Sequence, residues 1–368
     1  MVMLRAYKTE LDLNNKQRTM MMRCSGTARF VFNWALADRI ERHKAELTTN
    51  KFEQKRRFNS LKKTTYAWVY EVPYTVMQEE FDKCDIAFQN FFRRVKSGEK
   101  PGFPKFKSKK KGINSFTLRG NISVTSNRVR LPRIGWLRLK EDAYLPTKEV
   151  KILFANISYR AGHWFVSIQV EEPDKTIPEA GEGIIGVDVG IKTLATCSNG
   201  KLFENPKSLS RYERQLVHMQ RELSRRRKGS KNRAKTKQRI AKLHYKIANV
   251  RRYALHAVSH YLTATAKPKT VVLENLNVKG MVKNRHLSKA ISDASFGELR
   301  RQLEYKCTWN GVELKFADRF YPSSKTCSEC GNVKPLLKLS ERTYVCESCG
   351  IVIDRDLNAA QNLAALAH

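Results

Sequence analysis

The chain has 368 residues, enough for two or three domains at the usual ~150 residues each. Its 70 Lys+Arg against 35 Asp+Glu give a net charge of +35 and a pI of ≈ 10.0, which calls for a polyanionic partner. A hydrophobic content of 41% argues against wholesale disorder, and the sequence holds no run of ~18 apolar residues that could span a bilayer.

Met1–Asn15 mixes charged and apolar residues and lacks a signal-peptide core. An intracellular, cytoplasmic setting is therefore expected, with nucleic acid as the partner, and the eight cysteines are not expected to pair as disulfides. Leu4–Leu11 alternates well enough for a first strand, and Asp12-Leu13-Asn14-Asn15 offers a helix start. From Lys16 to about Lys96 the pattern is helical. Cys24, Ala28, Val31 and Ala35, then Phe81, Cys84, Phe88 and Phe91, recur at three- and four-residue spacing. Pro73-Tyr74 interrupts this block. Thr75 and Gln78 fit a capping box for its last helix, and Gln78 has a second reading as a base-edge contact, since Gln can pair with adenine.

Arg93–Gly112 carries nine Lys/Arg against one acid, Glu99, and Gly98, Pro101, Gly102 and Pro104 prevent a long helix. Phe103 and Phe106 interleave with the lysines. The segment reads either as a solvated linker or as a nucleic-acid surface using Lys105 and Lys109. From Ile113 to Val170 the period changes. Ser115–Arg119, Arg128–Leu131, Trp136–Leu139, Val150–Tyr159 and Trp164–Val170 predict short strands, with turns at Ser126-Asn127 and Arg160-Ala161-Gly162. These suggest a small β-barrel that the first strand joins, which makes the helical block an insertion. Glu171–Gly183 reads as a polar linker.

Gly183–Gly200 begins with the β-branched run Ile184, Ile185, Val187 and Val189, a buried strand that contains Asp188. Gly186 and Gly190 leave room for another chain to approach. Leu194–Cys197 is a second strand, and Ser198-Asn199-Gly200 a hairpin turn. An aspartate in such a strand is costly unless it is paired or holds a cation. Between Arg211 and Arg252 stand 16 Lys/Arg and two acids, Glu213 and Glu222. Two apolar stripes, separated at Gly229-Ser230, predict an antiparallel helical hairpin whose other faces are densely positive. Arg225, Arg226, Arg227, Lys231 and Arg233 are its candidate phosphate contacts. Lys269–Asn275 is a further strand ending in Glu274. Asn284–Ser292 looks irregular, Phe296, Leu299 and Leu303 predict a helix, and Val312–Phe316 a strand. That order is α/β.

Cys327-Ser-Glu-Cys330 and Cys346-Glu-Ser-Cys349 are two CxxC knuckles at the spacing of a closed, structural four-thiolate zinc site. Cys24, Cys84, Cys197 and Cys307 are scattered and read as core residues. Asp356 begins an Ala/Leu-rich helix, where an N-cap role would by itself account for it. Yet Asp188, Glu274 and Asp356 are three acids on three α/β elements. Such acids can converge on hard divalent cations, and a pair of these hydrolyses phosphodiesters.

Gly186-Val-Asp188-Val-Gly190-Ile-Lys192, Leu273-Glu274-Asn275-Leu276, Ser323-Ser-Lys-Thr-Cys327-Ser-Glu-Cys330-Gly331 and Asp354-Arg-Asp356-Leu-Asn358-Ala-Ala resemble the motifs of the TnpB family, transposon-encoded ancestors of the type V CRISPR effectors. The resemblance implies an RNA-guided DNA endonuclease of an insertion-sequence transposon, which cuts guide-matched double-stranded DNA beside a short adjacent motif. It implies Mg²⁺ held by Asp188, Glu274 and Asp356, with structural Zn²⁺ at the four cysteines. No membrane and no small-molecule substrate is expected, and the setting is prokaryotic and nucleoid-associated. Asp356 is preferred to Asp354 because it stands two residues before Asn358. Tyr74, Gln78, Ser115 and Phe116 are candidate readers of the adjacent motif.

The implied fold is α/β with all-β and helical parts. Residues 1–12 supply the first strand of a wedge-like barrel, 13–112 a helical recognition bundle with the basic loop, and 113–178 the rest of the barrel. Residues 179–368 form an RNase H-like RuvC domain, with the basic hairpin at 205–265 and the zinc insert at 320–352. A guide-directed repressor without cleavage, an RNA-independent transposase or resolvase, and an RNA-storing protein are the competing readings. The intact acid trio speaks against the repressor.

Overall fold

Strand β1 (Met3–Asp12) turns Tyr7, Thr9 and Leu11 inward by simple alternation. The computed structural model describes residues 3–109, 114–147, 150–173, 177–338 and 340–367. Lys110–Gly112 of the basic loop and residues 174–176 of the expected linker lie outside these. The chain divides into two units, Met1–Lys175 and Thr176–His368.

In the first unit, α1 (Asn15–Lys44) starts at Asn14, whose side chain accepts from the Gln17 amide while Gln17 Oε1 accepts from the Asn14 amide. Helices α2 (Lys51–Thr64) and α3 (Tyr74–Lys96) complete the helical block. Strands β2 (Asn114–Leu118), β3 (Ser123–Val124), β4 (Arg128–Leu131), β5 (Gly135–Leu139), β6 (Lys151–Arg160) and β7 (His163–Glu172) follow. With β1 they form one seven-stranded sheet in the order β2-β6-β7-β1-β5-β4-β3. β1 pairs with β7 from Met3↔Glu172 to Leu11↔Trp164, and its far end pairs with β5 at Leu11↔Leu139. The first strand thus sits mid-sheet, and the helical block is inserted between β1 and β2, two strands of that sheet that are not neighbours.

Two expectations are corrected here. Among the described residues the sheet is open, not a closed barrel: β2 and β3 are its edges. β3 has two residues and offers no ladder to β2. Helices α1 and α3 lie against β2 instead, and Met21, Cys24, Ala28 and Val76 share one core with Phe116, Leu137, Ile157 and Val166. The Thr75/Gln78 capping box also does not form. Pro73 is the N-cap of α3 with no side-chain cap, and buried Thr75 Oγ1 has no hydrogen-bond partner. Helical backbone begins directly after the proline, so Thr75 lies inside the first turn and cannot reach back across it.

The second unit opens with β8 (Ile184–Asp188), β9 (Thr193–Cys197) and β10 (Leu202–Glu204), followed by the hairpin α4 (Ser208–Arg225) and α5 (Lys231–His260). Then come β11 (Thr270–Leu273), α6 (Val278–Met281), α7 (Ser288–Ala294), α8 (Phe296–Asn310), β12 (Glu313–Phe316), β13 (Thr343–Val345), β14 (Val352–Asp354) and α9 (Arg355–Ala365). The five-stranded sheet runs β10-β9-β8-β11-β12, with β8, β11 and β12 parallel and β9 antiparallel to β8. Its core gathers Val187, Leu194, Val271, Leu273, Leu299 and Leu303. Gly186 is needed because α9 lies directly on it: a Cβ there would stand 2.0 Å from the Ala360 carbonyl oxygen.

The segment read as irregular is helical from Ser288. The reason is tertiary. Buried Asp293 accepts from the Leu209 amide at 2.8 Å and pairs with Arg251 at 2.5 Å, so α7 is tied to both arms of the hairpin.

Candidate active site

The parallel register of β8 and β11 decides where two of the acids go. Val187 is opposite Leu273, so the next residues, Asp188 and Glu274, leave the sheet side by side at its C-terminal edge. The charge of Glu274 acts on the Asp188 carboxyl, and Glu274 Oε1 accepts from Ser323 Oγ at 2.8 Å. Helix α9, seated on Gly186, presents the third acid. Asp354, not Asp356, is the N-cap: its side chain accepts from the amides of Asp356 and Leu357 at 2.9 and 3.0 Å. The capping role that could have accounted for Asp356 is already filled, which frees its carboxylate for the cavity.

Asp188, Glu274 and Asp356 line one cavity of ≈ 680 Å³ together with Lys192, Lys207 and Arg355. Withdrawal from water pushes the Asp188 carboxyl well above its ordinary range, and the charges of Glu274 and Asp356 push the same way. Glu274 is raised as well, chiefly by burial and also by the charge of Asp356, against the opposing hydrogen bond from Ser323. Asp356 Oδ1 is held by Arg355 Nη2 at 3.0 Å, with Arg342 Nη1 at 3.7 Å. Three carboxylates lining one cavity repel one another, and an all-oxygen donor set suits a hard divalent cation.

The four knuckle cysteines meet as a group whose sulfurs all lie within 4.8 Å of one another. Cys327 and Cys349 are 3.6 Å apart and Cys330 and Cys346 3.5 Å, near the ~3.8 Å edge of a tetrahedron with ~2.3 Å metal–sulfur bonds. Backbone amides of Cys349 and Ser348 aimed at Cys346 pull its thiol down to about 6, into the thiolate range at neutral pH. Gly331 and Gly350 take positive φ of 74° and 76° directly after the knuckles, a turn that a side chain would strain. Cys24, Cys84, Cys197 and Cys307 are buried and free.

Two residues that the sequence reading left without a role join these centres. Asn358 Nδ2 donates to the Thr326 carbonyl at 2.7 Å, and its Oδ1 accepts from the Ser328 amide at 2.9 Å. Asn362 Nδ2 donates to the carbonyls of Ser323 and Thr326 at 2.8 and 2.6 Å. The helix that carries Asp356 is thereby bolted to the first cysteine knuckle and to the serine that holds Glu274. The signal was their placement one and two turns after Asp354, on the buried side of α9.

The candidate nucleic-acid contacts separate into two groups. Lys105, Lys109, Arg225, Arg227 and Lys231 are exposed. Tyr74 is exposed beneath the Lys62 ammonium, 4.8 Å from its ring centre, while Gln78 and Ser115 are half-buried. Three of the candidates are engaged within the chain. Phe116 is fully buried in the first unit's core, because helices cover the face of β2 it occupies. Arg226 pairs with Glu222. Arg233 donates to the carbonyls of Leu223 and Arg226, closing the hairpin turn from within. Lys107 is likewise folded in, 3.9 Å over the Phe32 ring and 2.5 Å from buried Glu80.

Residues 167–285 match the OrfB_IS605 family model, described as "Probable transposase", and residues 296–363 match "Cas12f1-like, TNB domain". Residues 1–48 match that family's helix-turn-helix model; their described part forms β1 and the single long helix α1. A protein of Streptomyces pristinaespiralis, provisionally named RNA-guided DNA endonuclease, is 36% identical, covering 98% of this chain and 89% of its own. Escherichia coli (strain K12) InsQ, provisionally named in the same way, is 32% identical, covering 99% of this chain and 92% of its own. Among solved structures, the Cas12f1-sgRNA-target DNA complex matches with a TM-score of 0.58 at 14% identity over 99% of both chains, a likeness of fold. The mini-RNA-guided endonuclease CRISPR-Cas_phi3 matches with a TM-score of 0.51 at 10% identity over 100% of this chain and 92% of its own.

Proposed function

The chain belongs to the TnpB (OrfB) family of IS605-type transposons, and from that membership we propose an RNA-guided DNA endonuclease with a RuvC-like, magnesium-dependent active site at Asp188, Glu274 and Asp356. Its partners are a guide RNA and double-stranded target DNA. The observation that carries the site assignment is one cavity with three carboxylates, whose mutual repulsion and burial disfavour the ionised state of Asp188 without a cation. The strand order β10-β9-β8-β11-β12, three antiparallel strands extended by two parallel ones, supports an RNase H-like sheet. We assign the prokaryotic cytoplasm, at the nucleoid, as the working location; among the described residues no helix is long and apolar enough to cross a membrane.

Asp188, Glu274 and Asp356 would hold the cations. Bound there, divalent metal would activate a water and neutralise the leaving oxygen of a phosphodiester. Ser323 orients Glu274, and Arg342 and Arg355 hold Asp356 in place. Lys192 and Lys207 bring positive charge to the cavity, where the DNA backbone must enter. The four thiolates suit structural Zn²⁺, which in a closed site supports the fold and leaves the chemistry to the acids.

The test is to purify the protein with its co-expressed RNA and offer guide-matched DNA. Cleavage in Mg²⁺, lost in EDTA and in Asp188→Ala, is expected. DNA left intact, or cut equally by Asp188→Ala, overturns the assignment. Cleavage without RNA would instead identify a guide-independent transposase or resolvase.

A further inference from the structure

Alternation along β4 and β5 buries Val129, Leu131, Leu137 and Leu139 and leaves Arg128, Arg130, Trp136 and Arg138 on the opposite, exposed face. The register sets Arg128 directly across from Arg138 and Arg130 across from Trp136. Like charges opposite each other destabilise an antiparallel pair. Asp12 of β1 is in register with Arg138, yet among the described residues no ion pair engages Arg128, Arg130 or Arg138. An anion from outside the chain would relieve this arrangement.

Trp136 is 43% exposed and borders an open cleft of ≈ 370 Å³ that it shares with Arg128, Arg138, Asn14, Gln17 and one acid, Asp12. The cleft wall is fixed. Asn14 and Gln17 lock each other in the capping box of α1, and Gln17 Nε2 donates to the Trp136 carbonyl at 3.2 Å. A water-exposed indole among guanidinium groups without ion pairs is the chemistry of a stacking platform flanked by phosphate contacts. Bases within a duplex are stacked on one another and offer no free face, so the occupant is an unpaired nucleotide.

We propose that the outer face of the β4–β5 hairpin binds an unpaired nucleotide of the guide RNA, its base stacked on Trp136 and its flanking phosphates held by Arg128 and Arg138. The inference rests on the RNA-guided reading above. It adds a site in the first unit, separate from the catalytic acids.

The experiment uses the full chain with its co-purified RNA. Ultraviolet cross-linking with mass spectrometry on the wild type is expected to join an RNA nucleotide to the peptide containing Trp136. Trp136→Ala should weaken RNA binding ~10-fold, while Trp136→Phe keeps most of it. The Arg128→Ala/Arg138→Ala pair should flatten the slope of log K against log salt by about one to one and a half, the loss of two single-strand phosphate contacts. All these positions are exposed and the arginine pair is repulsive, so thermal melting should not fall below the wild type, and the cross-link needs no substitution at all. Wild type that binds RNA and cuts DNA, with no cross-link at Trp136 and with Trp136→Ala binding within twofold, overturns this site alone. A cross-link from Trp136 to target DNA also overturns it. Wild type that binds no RNA overturns the site and the RNA-guided reading together.

Discussion

The cysteine cluster and the acid trio lie on either side of the start of α9, yet they are built in opposite ways. The cysteines come from one short stretch, their spacing sets their geometry, and their four sulfurs already stand near tetrahedral distances. The acids come from β8, the end of β11 and α9, and no local rule brings them together. They sit in a cavity that raises Asp188 and Glu274 away from the ionised form. One cluster is a staple whose ligand set is complete; the other is a strained set that a cation would relieve. The proposed structural and catalytic sites thus differ in what their ligands cost the free protein.

The sharpest way to break this contrast is to remove one acid. Asp188→Asn should lower cleavage by about 10³-fold or more while RNA binding persists. It should also raise the melting temperature of metal-free protein, because it removes a buried charge. A lower melting temperature would contradict the strained-site account.

Cys346→Ser should release zinc, measured by metal analysis, and lower both thermal stability and cleavage. RNA binding by the first unit's exposed lysines should change less. Full cleavage by a zinc-free Cys346→Ser protein would show that the staple does not support Asp356.

Asn358→Ala tests the bolt between the centres. Two buried hydrogen bonds are lost and their partners left unpaired, a cost of ~1–3 kcal/mol. Stability and cleavage should fall together while zinc stays bound. Cleavage that falls with unchanged melting would place Asn358 in the chemistry instead.

A pH series sharpens the contrast further. Asp188 has a folded pKa above its unfolded ~3.9, so the native state binds more protons than the unfolded one between those values. Its contribution is favourable below pH ~4 and is lost as pH rises through the folded pKa. Metal-free protein should therefore lose stability on going from acid to neutral pH by this term, and Mg²⁺ or Asp188→Asn should cancel the loss. Calorimetry with and without Mg²⁺ measures it. The smallest effect is expected at the hairpin: Arg225→Ala or Arg227→Ala should reduce the salt dependence of RNA binding slightly, whereas Arg233→Ala should lower stability, because its guanidinium closes the turn.

Much of this was legible along the chain because the signals are local. The CxxC spacing, the Gly200 and Gly229-Ser230 turns, the Asn14 start and the run around Asp188 each depend on a few neighbouring residues. The same locality explains the failures. Thr75 and Gln78 match a capping box as letters, but Pro73 had already set the start of the helix. Phe116 reads as a contact residue in the letters, but the helices over β2 bury it. A barrel was inferred from strand count, and strand count does not say whether the edges meet.

By itself, then, the sequence determined the cationic character, the cysteine staple and which acids were unusual for their strands, because hydrophobic period, turn chemistry and ligand spacing act over a few residues. Only the tertiary structure decided that Asp354 caps α9 and leaves Asp356 for the cavity, that Asn358 and Asn362 tie the staple to the acids, and that Trp136 stands exposed among arginines without ion pairs. Those outcomes depend on parallel register and on helix–sheet packing between segments far apart in the chain, and such distances are set by the core rather than by any neighbouring residue.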